Sequence, residues 1–233
     1  MERLDKYLSN AEVLTRSESK IAVKRKLIKV NGVVITDVSV KINPEVDVIE
    51  YNGERVAFEK FSYIMLNKPS GVVSATDDGA FQTVVDLVPN NLKRKGLFPC
   101  GRLDKDTVGL IILTTDGQSA HRRLAPKSKT EKVYYFETAE VITSSEVETI
   151  SAGVTLNDGY ATAPCKINLI TNKSGEITLI EGKYHEIKRL FGYTGNKITY
   201  LKRLSFGGIT LDNSLNEGEC RPLTNEEINL FTK

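Results

Sequence analysis

A chain of 233 residues that is 40% hydrophobic can bury a real core, as one large domain or as a small module followed by a medium one, which excludes global disorder. Its longest apolar runs are too short to span a bilayer and Met1-Glu2-Arg3-Leu4-Asp5 opens no apolar signal region, so a cytoplasmic protein without a membrane partner is expected. Three scattered cysteines, two histidines and a net charge of only +2 argue against a disulfide framework, a zinc site and a uniformly basic polyanion binder.

The first sixty residues read as a separate module. Leu4, Tyr7, Leu8 and Ala11 have helical spacing. Thr15-x-x-Glu18 has the form of a capping box, with Ser17 an alternative cap, and opens a helix expected to run to about Leu27. Its apolar positions include Ile21, Ala22 and Leu27. Between Arg16 and Lys29 stand six basic residues and one acid, Glu18. The runs Leu27–Val30 and Val33–Thr36 flank Asn31-Gly32, a strong hairpin signal because both turn residues tolerate positive φ. A further strand, Asp47–Tyr51, ends at Asn52-Gly53. The chain is expected to cross between domains around Glu54 to Ser62, with the boundary after residue 59.

The second part opens with a strand, Tyr63–Leu66, and a turn, Asn67-Lys68-Pro69-Ser70-Gly71. Next comes Gly101-Arg102-Leu103-Asp104-Lys105-Asp106-Thr107-Val108-Gly109-Leu110, leading into the apolar run Leu110–Leu113. So short a run, bounded by Gly109 and Asp116-Gly117, reads as a buried strand, with Asp104 on the loop before it. Strands are expected at Lys132–Val141, with Tyr134 and Phe136 on one face, and at Tyr160–Ile170 and Glu176–Ile180. Ser144 or Ser145 caps a helix through Ile150. Tyr184, Ile187 and Phe191 have helical spacing. Ile198–Leu211 is β-prone and broken by Gly207-Gly208, and Thr224-x-x-Glu227 caps a last helix. Strands and helices mix without strict alternation, so an α+β domain with a large, mixed, mainly antiparallel sheet flanked by helices is expected. Lys183–Arg203 again carries six basic residues against one acid, Glu186, and Lys93, Arg94, Lys95, Arg102 and Lys105 surround the Asp104 loop. Three such clusters favour a polyanion partner over a merely solvated surface.

Several of these segments resemble one family. Arg-Leu-Asp-x-Asp-Thr-x-Gly-Leu at 102–110 is similar to the signature loop of bacterial ribosomal RNA pseudouridine synthases, in particular those that modify a uridine of the small-subunit (16S) RNA. Asn-Lys-Pro-x-Gly at 67–71 and Lys132-Val133-Tyr134 resemble two further motifs of that family. Glu181-Gly182-Lys183-Tyr184-His185-Glu186-Ile187-Lys188-Arg189-Leu190-Phe191 resembles its helix Glu-Gly-Arg-Tyr-His-Gln-Val-Lys-Arg-Met-Phe, with Glu186 where glutamine is usual. Arg-Leu-Asp-Lys-Tyr-Leu at 3–8 and Val-Asn-Gly at 30–32 resemble the alpha-L RNA-binding module, shared by a primary-binding ribosomal protein and several RNA-modifying enzymes.

The resemblance implies an alpha-L domain over 1–59 and a catalytic domain over 60–233, acting without metal or cofactor on ribosomal RNA or an assembling small-subunit particle, as a monomer. Pseudouridine formation replaces the carbon–nitrogen bond between uracil and ribose by a carbon–carbon bond, with no redox change. It implies Asp104 as the essential carboxylate, attacking the ribose, attacking the uracil ring or deprotonating the sugar. Lys188 contacts that carboxylate. Tyr134 stacks on the target uracil, with proton transfer as its further role and Tyr135 as a rival register. Arg102 either enters the RNA helix where the nucleotide leaves or pairs with Asp104. Asp106 and Thr107 shape the loop, and no firm role falls to Lys68. Arg16, Lys20, Lys24, Arg25 and Lys26 face RNA phosphates, and Lys188 and Arg189 have phosphate binding as their alternative role. Glu186 is expected to point outward, since a second carboxylate facing the site adds repulsion.

Other readings are a large-subunit RNA target, which the short C-terminus disfavours, and a non-catalytic RNA-binding assembly factor, which has no need of Asp104, Tyr134 and Lys188 together. A methyltransferase lacks support because no glycine-rich nucleotide cradle occurs.

Overall fold

Two Asn-Gly pairs shape the sheet of the N-terminal part of the chain. The computed structural model describes residues 1–11, 13–44, 46–56 and 60–233. It divides into two units, Met1–Lys60 and Phe61–Lys233. Residues 57–59, within the expected crossing between domains, lie outside the described residues.

The first unit comprises β1 (Glu2–Arg3), α1 (Leu4–Asn10), α2 (Arg16–Lys24), β2 (Ile28–Val30), β3 (Val33–Val34), β4 (Lys41–Ile42), β5 (Ile49–Tyr51) and β6 (Glu54–Arg55). Strands pair antiparallel in the order β3-β2-β5-β6, with β1 on β4. Asn31 and Gly32 have φ of 52° and 78°, and Asn52 and Gly53 have 52° and 84°. Positive φ at both central residues is what a tight two-residue hairpin requires. The second pair is therefore a hairpin too, where the sequence marked only the end of a strand. The expected capping box is present: Thr15 Oγ1 accepts from Glu18 N, and Glu18 Oε2 accepts from Thr15 N. α2 stops at Lys24, short of Leu27, because Lys26 adopts φ 59°. Val23, not Ile21, joins Leu4, Leu8, Ala22 and Ile28 in the core, and Ile21 is 51% exposed.

The second unit contains β7 (Tyr63–Lys68), β8 (Phe98–Pro99), β9 (Val108–Thr114), α3 (Gly117–Leu124), β10 (Lys132–Thr138), α4 (Ser144–Ala152), β11 (Lys166–Thr171), β12 (Ser174–Leu179), α5 (Glu186–Tyr193), β13 (Ile198–Phe206), β14 (Ile209–Thr210), β15 (Cys220–Pro222) and α6 (Asn225–Thr232). A nine-stranded sheet runs β11-β12-β10-β13-β9-β7-β15, with β14 on β13 and β8 on β9. Only the β13–β9 pairing is parallel, so the sheet is mixed and mainly antiparallel, as expected. β9 explains its unbroken apolar run by being covered on both faces. Ile111 and Leu113 pack with Phe136, Leu190 and Phe191, whereas Leu110 and Ile112 pack with Met65, Phe206 and Phe231.

The structure corrects several expected elements. Asn67 and Lys68 belong to β7, and the turn starts at Pro69. Thr143, not Ser144 or Ser145, caps α4, because its Oγ1 accepts from Glu146 N while Glu146 Oε2 accepts from Thr143 N. Residues 160–165 lie outside the named strands. Pro164 lacks a donor, and Ala163 N and Cys165 N are drawn to Glu181 Oε1 and Ser151 O.

Candidate active site

Side chains, more than strand pairing, hold the loop that carries Asp104. Lys68 is fully buried at the end of β7, and its Nζ donates to the carbonyl oxygens of Pro69 (3.1 Å), Lys105 (3.1 Å) and Thr107 (2.8 Å). Those acceptors use all three protons of an ammonium group. Burial pushes the Lys68 pKa down to about 8, with the charges of Asp106 and Asp104 opposing. On the other side of the loop, Ser74 Oγ accepts from Leu103 N (3.0 Å) and donates to Leu103 O (2.9 Å). Gly71 N donates to Lys105 O (2.9 Å) and Thr107 N to Asp104 O (3.1 Å). Both neighbours of Asp104 are thus pinned, which fixes where its side chain emerges.

The start of α5 faces this loop. His185, just before the helix, adopts φ 50°, a left-handed conformation uncommon outside glycine. Its Nε2 lies 3.5 Å from Asp104 Oδ1. One turn into the helix, Lys188 Nζ lies 2.9 Å from Asp104 Oδ2 and 2.6 Å from Asp106 Oδ1. Burial works against the Lys188 ammonium, but hydrogen bonds to Asp106 and Asp104 outweigh it and raise its pKa. Burial likewise works against the Asp106 carboxylate, and Lys188 outweighs it and lowers that pKa. The buried Tyr134 of β10 joins Leu179, Ile187 and Leu201 in walling the cleft into which Asp104 projects. The Asp104 side chain is 24% exposed, reachable from solvent yet backed by apolar surface. A carboxylate held by a cation beside an aromatic wall suits a planar base attached to a sugar.

A family model described as RNA pseudouridylate synthase matches residues 62–193, and one described as S4 domain matches residues 2–48. The chain belongs to the RNA pseudouridylate synthase family. This pseudouridine synthase is 42% identical over 235 residues to an uncharacterized RNA pseudouridine synthase of Bacillus subtilis (strain 168), covering 99% of this chain and 98% of that one. It is 38% identical over 233 residues to ribosomal small subunit pseudouridine synthase A of Haemophilus influenzae, covering 99% and 100%. It is 37% identical over 228 residues to the protein of that name in Escherichia coli (strain K12), covering 97% and 98%. A crystal structure of a pseudouridylate synthase matches with a TM-score of 0.70 at 37% identity, covering 99% of this chain and 100% of that one.

Of the residues singled out from the synthase's sequence, Asp104, Tyr134 and Lys188 come together around one cleft. Arg102 is exposed at its lining, and the ion-pair partners of Asp104 among the described residues are Lys188 and His185, not Arg102. Tyr135 occupies the other strand face, its hydroxyl donating to Glu137 Oε1 (2.9 Å). Arg189 pairs with Asp158 at 2.6 Å, outside the cleft lining. In the N-terminal unit Arg16, Lys20, Lys24, Arg25 and Lys26 are all exposed, and Arg16, Lys20 and Lys24 recur at helical spacing along α2. Cys100 and Cys165 are buried, and burial pushes both thiols up to about 11.

Glu186 does not point outward. It is 4% exposed, packed under the first turn of α5, where its Oε2 accepts from Lys183 N at 2.6 Å. Burial pushes its pKa up to about 7. Sequence reasoning also gave Lys68 no firm role, passed over Ser74, assigned none to His185 and left Asp106 a loop-shaping part. His185 and Asp106 lay inside the motifs already quoted, and Lys68 carried a physical signal as well: a lysine directly continuing an apolar strand must bury its charge or end the strand.

Proposed function

We propose that this pseudouridine synthase isomerises a uridine of small-subunit ribosomal RNA, with Asp104 as its essential carboxylate. The observation that carries the reading is the 2.9 Å contact between Lys188 Nζ and Asp104 Oδ2 in the cleft walled by Tyr134. An ammonium in contact stabilises the negative charge with which a carboxylate attacks or takes a proton. Whether the carboxylate attacks the sugar, attacks the ring or deprotonates the sugar, it must be ionised and near the ribose. Tyr134 supplies a face on which an everted uracil stacks, and the apolar side chains around it shelter the freed base while it turns. Arg102, exposed at the cleft, is suited to fill the gap that the nucleotide leaves in the RNA.

The exposed cations of α2 and the turn after it support RNA binding by the N-terminal unit through phosphate contacts. The small-subunit target rests on the names of full-length relatives at 37–38% identity. Pseudouridine mapping in ribosomal RNA from cells with and without the gene tests the whole reading. One small-subunit position is expected to lose the modification, regain it with the wild-type gene and stay unmodified with Asp104→Ala. A lost position in large-subunit RNA would overturn the target, and recovery with Asp104→Ala would overturn the carboxylate.

A further inference from the structure

At the start of α5, in the lining of the cleft, the carboxyl of Glu186 has a second carboxyl, that of Glu181, as a neighbour. Glu186 Oε2 has a donor, the Lys183 amide at 2.6 Å, but Glu186 Oε1 is buried with no donor in reach among the described residues. A neighbouring side chain is that of Glu181, whose carboxyl is another acceptor. Glu181 is already well supplied: Tyr160 Oη donates to its Oε2, and Ala163 N donates to its Oε1 at 2.7 Å. Two charged carboxylates in this position repel each other and leave a buried acceptor unsatisfied. One proton between them removes both penalties.

We propose that Glu186 carries this proton and donates it to Glu181, and that the shared proton latches the turn 181–186 to the start of α5, which together bring His185 and Lys188 to Asp104. Glu186 is then a positioning residue, and its part in the reaction rests on the Asp104 reading of the site. The proton resides on Glu186 because two donors stabilise charge on Glu181, whereas Glu186 has one donor and deeper burial. The other groups facing the pair are the phenol of Tyr160, with the Lys183 ammonium 4.8 Å from its ring centre, the Cys165 thiol and, from β10, the Lys132 ammonium. Lys132 opposes protonation only through space, since its Nζ donates to Thr130 O at 2.8 Å. The latch spans separate segments: Glu181 follows β12, Tyr160 and Ala163 precede β11, and Glu186 begins α5. Losing the proton puts like charges together two residues from Lys188 and directly beside His185.

Infrared spectroscopy of the RNA-free full chain with isotope-labelled glutamate reads the proton without any variant. A carboxylic-acid carbonyl band is expected at neutral pH, disappearing as the pH rises and missing in Glu186→Gln. The pH profile of kcat reads the latch. Above the titration, wild-type kcat is expected to fall by about tenfold per pH unit. Glu186→Gln, whose amide donates without dissociating, should extend the plateau to higher pH, while Glu186→Ala lowers kcat at every pH and leaves KM nearly unchanged. No acid band at neutral pH, or an alkaline fall at the same pH in wild type and Glu186→Gln, would overturn the proposal. The band is measured without substrate, so it stands or falls separately from the role of Asp104, which Asp104→Ala tests.

Discussion

The two units differ in how their functional residues are held. In the N-terminal unit the exposed cations sit on and just after α2, which neighbours a few residues away define: the Thr15–Glu18 capping box at its start and the positive φ of Lys26 past its end. In the synthase unit Asp104 and the loop that carries it depend on partners far along the chain. Lys68 fixes the loop beyond Lys105, and α5 carries the lysine that meets Asp104. A surface that attracts phosphates needs only charge on a stable scaffold, because long-range electrostatics tolerates small displacements. A carboxylate acting on one bond needs placement to a fraction of an ångström, which only packed, non-local contacts provide.

The sharpest test of this contrast is Asp104→Ala. It is expected to abolish pseudouridine formation while RNA affinity stays within about tenfold, since one side chain in the cleft adds little to a binding term dominated by phosphates. Single-turnover assays and filter binding on the same RNA check both halves. A parallel loss of binding would show that the two units do not divide the labour in this way.

A second test breaks the synthase unit in β9, just after the loop that carries Asp104. Gly109 has φ 97°, and a Cβ there would lie 2.4 Å from the carbonyl oxygen of Arg203, where β9 and β13 run parallel. Gly109→Ala meets both a disfavoured backbone and a backbone clash, so a loss of about 3 kcal/mol or more is expected in denaturant unfolding. A loss below about 1 kcal/mol would mean that the β9–β13 contact yields easily, and that the loop before β9 is less rigidly held than its hydrogen bonds imply.

This glycine also shows what was legible in the chain. Its place in the motif near Asp104 was evident, but its physical reason, the close approach of Arg203, lies 94 residues further on. Local signals were readable: the capping boxes at Thr15 and Thr224, the buried run of β9 and the alternation of Tyr134 and Phe136 all reflect periodicity or contacts within a turn. Glu186 was misread because the helix turn that buries it is oriented by Glu181, Lys183 and the strands beneath, none of which follows from its spacing. His185 was given no role for the same reason: its left-handed backbone turns the ring toward Asp104, and no residue pattern announces that conformation. Asp104, Tyr134 and Lys188 were found through a family resemblance; by spacing alone each is an ordinary acid, core tyrosine or surface lysine.

A third test measures the energetic imprint of such a buried group. Burial raises the folded-state pKa of Glu186 from the ordinary 4.5 to about 7. Between those values the folded chain keeps a proton that the unfolded chain releases, so stability falls as the pH rises and levels off above about 7. This is opposite in sign to a salt-bridged carboxylate. The contribution is on the order of 3 kcal/mol across the window. Glu186→Gln removes that part of the fall, so the wild-type and variant unfolding curves should converge at acid pH and separate toward neutrality, with the variant the more stable. Parallel curves would place the group in a better-solvated setting.

The smallest effect on folding is expected in the N-terminal unit. Neutralising Lys24, Arg25 and Lys26 together changes exposed side chains at the end of α2 and in the turn after it. Stability should move by less than about 0.5 kcal/mol per substitution, apart from a lost favourable charge at the helix C-terminus. Binding to ribosomal RNA should respond more clearly. If all three contact phosphates, the slope of log affinity against log salt flattens by about 2–3, because fewer condensed counterions are released on association. The single-turnover rate at saturating enzyme should hardly change if, as proposed, α2 serves binding and the Asp104 cleft the chemistry. An unchanged salt slope would remove this face from the RNA interface and transfer the phosphate contacts to the cations around Arg102 and Lys183, making the synthase unit responsible for both tasks.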